Sequence, residues 1–355
     1  MTEQMPIKVS VVVACRNETG NIRSLLDSIQ KQEMGGISWE AIIADGMSDD
    51  GTRQVLEACS IADPRIRVID NPGRIVSTGL NLAIRAARGE IIMRMDAHTI
   101  YSSDYCRRCL EVLEQTGAAN VGGPARTRAR GVRAKAIAAA YHSRFSTGGA
   151  RFHDVSYEGW ADTVPYGCWR KETLQRIGLF DEALVRNQDD ELNLRLERAG
   201  GKIWQSPAIV SWYSPRAKLS ALFRQYFQYG FWKVAVIRKH RLPASSRHLV
   251  PVVFVLANVL LAVSVLAAAV AGAETLRNMA AAGWLAMAAL YAGLTLLASI
   301  AAARQGGWAT LPYLPFIFAA YHLSYGLGFF LGIVGALRTP RPVAHSESVF
   351  TQITR

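Results

Sequence analysis

Four short stretches of the sequence place side chains able to bind and activate a charged, hydroxyl-rich ligand. Cys15-Arg16-Asn17-Glu18 follows one apolar run, 9–14, and Asp45-Gly46-Met47-Ser48-Asp49-Asp50-Gly51-Thr52 follows another, 40–44. A carboxylate at the end of a strand can accept hydrogen bonds from a nucleobase N–H or from ribose hydroxyls. Ser48, Asp50, Gly51 and Thr52 suit a tight turn that opens the next helix. In Arg94-Met95-Asp96-Ala97-His98, an oxygen and a nitrogen ligand stand two residues apart. Asp96 and His98 so spaced can hold a divalent ion against a diphosphate, and one imidazole tilts the preference from Mg²⁺ toward Mn²⁺. The fourth stretch, Asn187-Gln188-Asp189-Asp190-Glu191-Leu192-Asn193-Leu194-Arg195, sets three acids where a helix begins, which the helix dipole favours. Asp189, Leu192 and Leu196 share one helix face, so Asp189 is expected to turn inward and serve as general base for an acceptor hydroxyl. A plain turn with its N-cap explains 45–52 taken singly. The combination argues for a ligand site.

The elements that carry these stretches alternate. Strand-like text at 8–14, 40–44, 65–69 and 90–95 is separated by helix-like text at 21–32, 52–58 and 78–87. Alternating β and α units predict an α/β fold with a mainly parallel, doubly wound sheet. Ligands of such sheets bind beyond the carboxyl ends of the strands, where Asn17, Glu18, Asp45 and Asp96 fall. The stretch 121–164 is irregular and basic, with Arg126, Arg128, Arg130 and Arg133, and reads either as a segment over the site or as a solvated face.

Beyond residue 247 the text changes character. The stretches 249–272, 279–303 and 311–337 contain no Asp, Glu, Lys or Arg, and each is long enough to cross about 30 Å of hydrocarbon. Residues 216–248 hold eight Lys or Arg and no acid, which puts that side in the cytoplasm. Three full crossings would then leave Arg338, Arg341 and Arg355 outside, against the same rule. Within the basic segment, Leu219, Leu222, Phe223, Tyr226 and Phe227 recur at helical spacing and suit a helix in the membrane interface. A core helix fits the same periodicity. The expected organisation is a catalytic domain over 1–215, an interfacial basic segment over 216–248, a membrane domain of about three helices over 249–337, and a tail.

The formal net charge of +12 invites anionic partners, but no nucleic-acid recognition motif is present. Five scattered cysteines argue against a disulfide framework, and Cys106-Arg-Arg-Cys109 has no second pair to make a metal site. The N-terminal 1–8 has no signal-peptide core, so the domain is expected in the cytosol and the whole at the inner membrane.

Taken in order, Asn17-Glu18, DGMSDDGT at 45–52, MDAH at 95–98 and QDDELNLR at 188–195 resemble the family 2 inverting glycosyltransferases of GT-A fold. The resemblance is greatest to bacterial exopolysaccharide enzymes of the succinoglycan glucosyltransferase type. Gly167-Cys168-Trp169-Arg170, Gly178-Leu179-Phe180-Asp181-Glu182 and the aromatic text 225–233 fit that subgroup, so the likeness runs over 9–233. It implies a nucleotide-sugar donor such as UDP-glucose, contacted by Asn17, Glu18, Asp45, Ser48 and Asp96. It also implies a Mn²⁺ or Mg²⁺ ion at Asp96 and His98, and Asp189 as catalytic base with Gln188 in place of the usual Glu. The third position of the DxD motif is His98 rather than an acid, and the QxxRW motif of processive synthases is absent.

The expected reaction is transfer of a sugar, with inversion, to a lipid-linked oligosaccharide or polysaccharide acceptor. Three competing readings are an enzyme that glycosylates polyprenyl phosphate itself, a non-catalytic nucleotide-sensing membrane protein, and a polymer synthase with its own channel. Three spans leave the last little room for a pore.

Overall fold

The computed structural model describes residues 6–338 apart from 217 and 244; residues 1–5 and the expected tail from 339 on lie outside them. The chain separates into two compact units, one of Met1–Arg128 with Ala150–Ser214, the other of Ala129–Gly149 with Pro215–Arg355.

The first unit is built on the strands β1 (Val9–Cys15), β2 (Trp39–Asp45), β3 (Ile66–Asp70) and β4 (Ile91–Arg94), joined through α1 (Ile22–Gln30), α2 (Thr52–Ala62) and α3 (Val76–Ala86). All four run parallel, in the order β3-β2-β1-β4. β1 and β2 are apolar at almost every position because both faces are covered. Val11, Val13, Ala41 and Ile43 pack with Leu25 and Leu26 of α1 on one side. Val12, Ile42 and Ala44 pack with Leu80 and Ile84 of α3 on the other.

The remaining strands are short: β5 (Thr99–Tyr101), β6 (Asn120–Gly122), β7 (Arg126–Thr127), β8 (Gly159–Ala161), β9 (Cys168–Arg170), β10 (Ile203–Gln205) and β11 (Ser211–Tyr213). Four of them extend the sheet to β3-β2-β1-β4-β9-β6-β10-β8, in which β6 and β10 pair in parallel while β9 and β8 run antiparallel to their neighbours, so the sheet is mixed but mainly parallel. β5, β11 and β7 form a second, three-stranded sheet. The helices α4 (Tyr105–Thr116), α7 (Lys171–Ile177) and α8 (Gln188–Arg198) complete this unit. The stretch 121–164 is not irregular: it holds β7, β8, the end of β6 and, at 132–141 and 144–147, two helices of the second unit. Strands of two or three residues show less than two periods of alternation, so no pattern betrays them.

The second unit is helical: α5 (Val132–Tyr141), α6 (Arg144–Thr147), α9 (Leu219–His240), α10 (Val250–Val270), α11 (Glu274–Gly306) and α12 (Leu314–Arg338). The last three coincide with the charge-free stretches and are long and apolar enough to cross a membrane. α10 and α11 form an antiparallel hairpin, with Phe254 stacked on Tyr291 and Trp284 Nε1 donating to Asn258 Oδ1 at 3.0 Å. α5 packs Ala136, Ile137 and Ala140 against Ala302 and Ala303 of α11 and Leu314 and Ile317 of α12.

Candidate active site

The order β3-β2-β1-β4 reverses direction of winding between β1 and β4, and a doubly wound sheet opens a crevice there, beyond the strands' carboxyl ends. β1 lies between β2 and β4, with Cys15 opposite Asp45 and Val12 opposite Arg94. The ends of three adjacent parallel strands, spaced about 4.8 Å apart, therefore deliver Asn17-Glu18, Asp45 and Asp96 to one edge.

At the β1–β2 end the polar residues lock the two loops together. Asp45, buried, accepts from Ser48 Oγ at 2.5 Å, and Ser48 Oγ in turn accepts from the Asn17 backbone N–H at 2.9 Å. Asn17 and Asp49 exchange hydrogen bonds, Asn17 Nδ2 to Asp49 Oδ1 at 2.9 Å and Asp49 N–H to Asn17 Oδ1 at 3.1 Å. Asn17 stands at φ 55°, a left-handed conformation that Asn tolerates. Arg53 comes within 3.6 Å of Asp45. Glu18 is buried, accepts from Asn21 Nδ2 at 3.0 Å, and its backbone N–H donates to Thr52 Oγ1 at 2.7 Å. Asp50 accepts from Thr52 and Thr19; burial alone would raise its pKa, but these hydrogen bonds hold it well below the usual carboxylate range.

The second half of the site is organised by a residue that the sequence reading passed over. Arg94, the last residue of β4, is 4% exposed, and its guanidinium grips Asp96 with two bonds, Nε to Oδ1 at 2.8 Å and Nη2 to Oδ2 at 3.0 Å. Its remaining Nη1 donates to Asp189 Oδ1. One buried cation thus joins the end of β4 to the first turn of α8. A two-residue offset along an extended chain is the signal that could have exposed it, since residues i and i+2 share a face.

Asp189 does not turn inward with Leu192 and Leu196 as their spacing predicts: those two are buried, while its own side chain is 41% exposed and is drawn to the sheet edge by Arg94. Burial of the carboxyl raises its pKa above the ordinary value; Arg94 opposes the rise, and Asp96 and Asp190 add to it. The fully buried acid of this helix is Glu191, paired with Arg195 at 2.8 Å. Arg195 also donates to the carbonyls of Ile177 and Leu179, while Asn81 donates to the Phe180 carbonyl at 2.9 Å. The stretch 178–182 is thereby a brace between α3 and α8 that sets where α8 begins. Gly167 fills a similar role behind β9: at φ 107°, any Cβ there would lie 2.2 Å from the Trp169 ring.

Behind Asp96 stands a tyrosine cluster. Tyr101 Oη accepts from the Asp96 backbone N–H at 2.7 Å, and Tyr166 shares a 2.6 Å hydrogen bond with Thr99 Oγ1. Burial pushes both phenols upward in pKa, so they remain neutral hydrogen-bonding groups. His98 meets Tyr213 edge-to-face at 5.4 Å between ring centres. Among the described residues no group of three or more His, Cys, Asp or Glu could by itself hold a metal ion. Both carboxylate oxygens of Asp96 accept from Arg94, so an ion at Asp96 and His98 would share that carboxylate with the guanidinium. The buried Cys106, Cys109 and Cys168 belong to the hydrophobic core.

With this geometry in hand, comparison with known proteins is direct. The pattern of glycosyl transferase family 2 matches residues 10–170. The succinoglycan biosynthesis protein ExoA of Rhizobium meliloti is 35% identical over 243 residues, covering 68% of this chain and 73% of that protein. A Methanococcus voltae enzyme is 27% identical over 65% of this chain and 74% of its own length. It is a dolichyl N-acetyl-α-D-glucosaminyl phosphate 3-β-D-2,3-diacetamido-2,3-dideoxy-β-D-glucuronosyltransferase. Among solved structures, a mannosyltransferase from Pyrobaculum calidifontis in complex with GDP-Man and Mn²⁺ shares the fold. It has a TM-score of 0.56 at 20% identity and covers 90% of this chain and 88% of that one. Fold, strand-end carboxylates and relatives agree, and the chain belongs to glycosyltransferase family 2.

Proposed function

We propose that this glycosyltransferase moves a sugar from a UDP-sugar, UDP-glucose or one like it, to a sugar already carried on a lipid phosphate or diphosphate. The product belongs to exopolysaccharide or cell-surface glycan synthesis, and the anomeric configuration inverts. The observation that supports the reading is the Asp96–Arg94–Asp189 bridge, which joins the first turn of α8 to the end of β4, where a donor diphosphate would lie. The relative from M. voltae, whose name describes transfer onto a lipid-phosphate sugar, supports an acceptor that already bears a sugar rather than bare polyprenyl phosphate.

In this reading Asp45 and Glu18 take the nucleoside, with Asn17 and Ser48 holding their loops in place. Asp96 and His98 would hold the Mn²⁺ or Mg²⁺ ion, which supplies positive charge against the departing diphosphate. Asp189 removes the proton of the acceptor hydroxyl as its oxygen bonds to the anomeric carbon. The C–O bond to the diphosphate breaks on the opposite face, so an α-linked donor gives a β-linked product. Arg94 holds Asp189 ionised and aimed. Because burial raises the Asp189 pKa, kcat/KM should fall with decreasing pH at a value above the ordinary carboxylate pKa of about 3.9. A profile flat down to pH 4 speaks against Asp189 as the base.

The direct test is product analysis with the full chain in lipid nanodiscs, given UDP-sugars and either polyprenyl phosphate or a polyprenyl-diphosphate sugar. A β-linked disaccharide-lipid, formed only with the sugar-bearing acceptor, is expected. Glycosylation of bare polyprenyl phosphate, or retention of configuration, overturns the reading.

A further inference from the structure

We infer that only α10 and α11 cross the bilayer, and that α12 lies with α9 in the headgroup layer of an anionic membrane surface. The end of α12 thereby returns to the side on which α10 begins. The inference is independent of the catalytic reading.

α9 and α12 run parallel and nearly in contact along their lengths. Tyr226 meets Tyr321 at 4.3 Å between ring centres; a Cβ on Gly230 would lie 2.0 Å from the Tyr325 carbonyl oxygen, and one on Gly328 1.9 Å from that of Phe227. Further along, Gly332 faces Phe231 and Val234, and Arg238 Nη1 donates to the Ala336 carbonyl at 3.3 Å. The pair therefore ends together, with Arg238 and Lys239 in the last turn of α9 and Arg338 in the last turn of α12.

Eight residues separate Arg241 from α10. Among those described, the only helical piece is the single turn Ser246–His248, and the stretch includes Arg247. Backbone of that kind cannot cross lipid-exposed hydrocarbon, where every N–H and C=O must be satisfied within the segment. The end of α9 and the start of α10 accordingly share one side of the membrane, and α12 ends on that side too.

Depth gives the same answer. The start of α10 touches the middle of α12: a Cβ on Gly326 would lie 2.4 Å from the Pro251 carbonyl oxygen and 2.6 Å from Val255. Arg338 lies twelve residues further on, about 18 Å at 1.5 Å per residue. Were α12 to run beside α10 through the bilayer, Arg338, Arg238 and Lys239 would sit near the centre of the hydrocarbon, where charges are costly.

Burial and charge complete the case. Half of the apolar stretch of α12 is buried inside the unit, against 11% for α10 and 17% for α11, which face outward as lipid-crossing helices do. Phe316, Leu323, Leu327 and Leu331 form an exposed stripe on α12, and Leu219 and Phe223 extend the apolar surface on α9. Residues 129–149 and 215–338 hold fifteen Lys and Arg and a single acid, Glu274. An apolar stripe among cations is the signature of a helix pair resting on anionic headgroups.

The test is side-specific labelling of the full chain in sealed membrane vesicles, with Cys59 replaced by Ser to silence the one partly exposed native thiol. Leu242→Cys marks the start of α10, Thr275→Cys the turn between α10 and α11, and Leu337→Cys the end of α12. A membrane-impermeant maleimide should label 242 and 337 from the same face and 275 from the opposite one. Labelling of 337 together with 275 establishes three crossings and overturns the inference, as does a 337 thiol that stays unreactive after the vesicles are opened. An epitope tag after Arg355 gives a second readout: protease should remove it from the face that labels 242.

Discussion

The two units use charge in opposite ways. The α/β unit, residues 1–128 and 150–214, carries 23 Lys and Arg against 26 Asp and Glu, and it turns many of them against one another inside the fold. Arg94 bridges Asp96 and Asp189, Arg195 pairs with buried Glu191, and buried Glu40 takes Arg88 at 2.8 Å and Arg67 at 3.3 Å. The helical unit carries seventeen Lys and Arg and two acids, Glu274 and Glu347. In the first unit cations and acids nearly balance and position one another; in the second, basic residues far outnumber acids. The net charge of +12, which looks like a property of the whole chain, belongs to the helical unit.

Substitutions can break that comparison. The largest effect is expected from Arg94→Met, which leaves Asp96 and Asp189 without their cation. Breaking a buried pair in this way costs about 3–5 kcal/mol, read as a fall in the denaturant midpoint of the α/β unit, with loss of transfer. A smaller loss is expected from Gly328→Leu, because α9 has no room for a side chain there; overpacking of this kind costs about 1–3 kcal/mol. Thermal unfolding followed in detergent measures it. The smallest stability effect is expected for the double change Arg238→Gln and Lys239→Gln, both exposed. Stability should move by no more than about 0.5 kcal/mol, while binding to anionic vesicles weakens by about 1 kcal/mol per charge removed. If this pair destabilises the fold as much as Arg94→Met, the contrast between the units is wrong.

The sequence makes some of this architecture plain and hides the rest for physical reasons. β1 to β4 are legible because long apolar runs alternate with helical spacing, and their polar ends follow automatically from the fold. The three-residue strands and the β5-β11-β7 sheet are not, since they depend on partners distant in sequence. α5 escapes notice because its alanines surround the helix without favouring a face. Spacing with Leu192 and Leu196 points Asp189 into the core, whereas its direction is set by Arg94, 95 residues away, and no local pattern encodes that. Likewise, helical spacing at 219–231 reveals an amphipathic helix without revealing that its partner is α12.

The central claim is that Asp189 acts on the acceptor while the strand-end carboxylates bind the donor. Donor affinity and turnover measured together on Asp189→Asn separate the two roles. UDP-sugar binding should stay within about twofold of the parent, while transfer falls by about 10²–10⁴-fold, the usual worth of a positioned base. Transfer that persists at the parental rate, with Asn at 189, would contradict it.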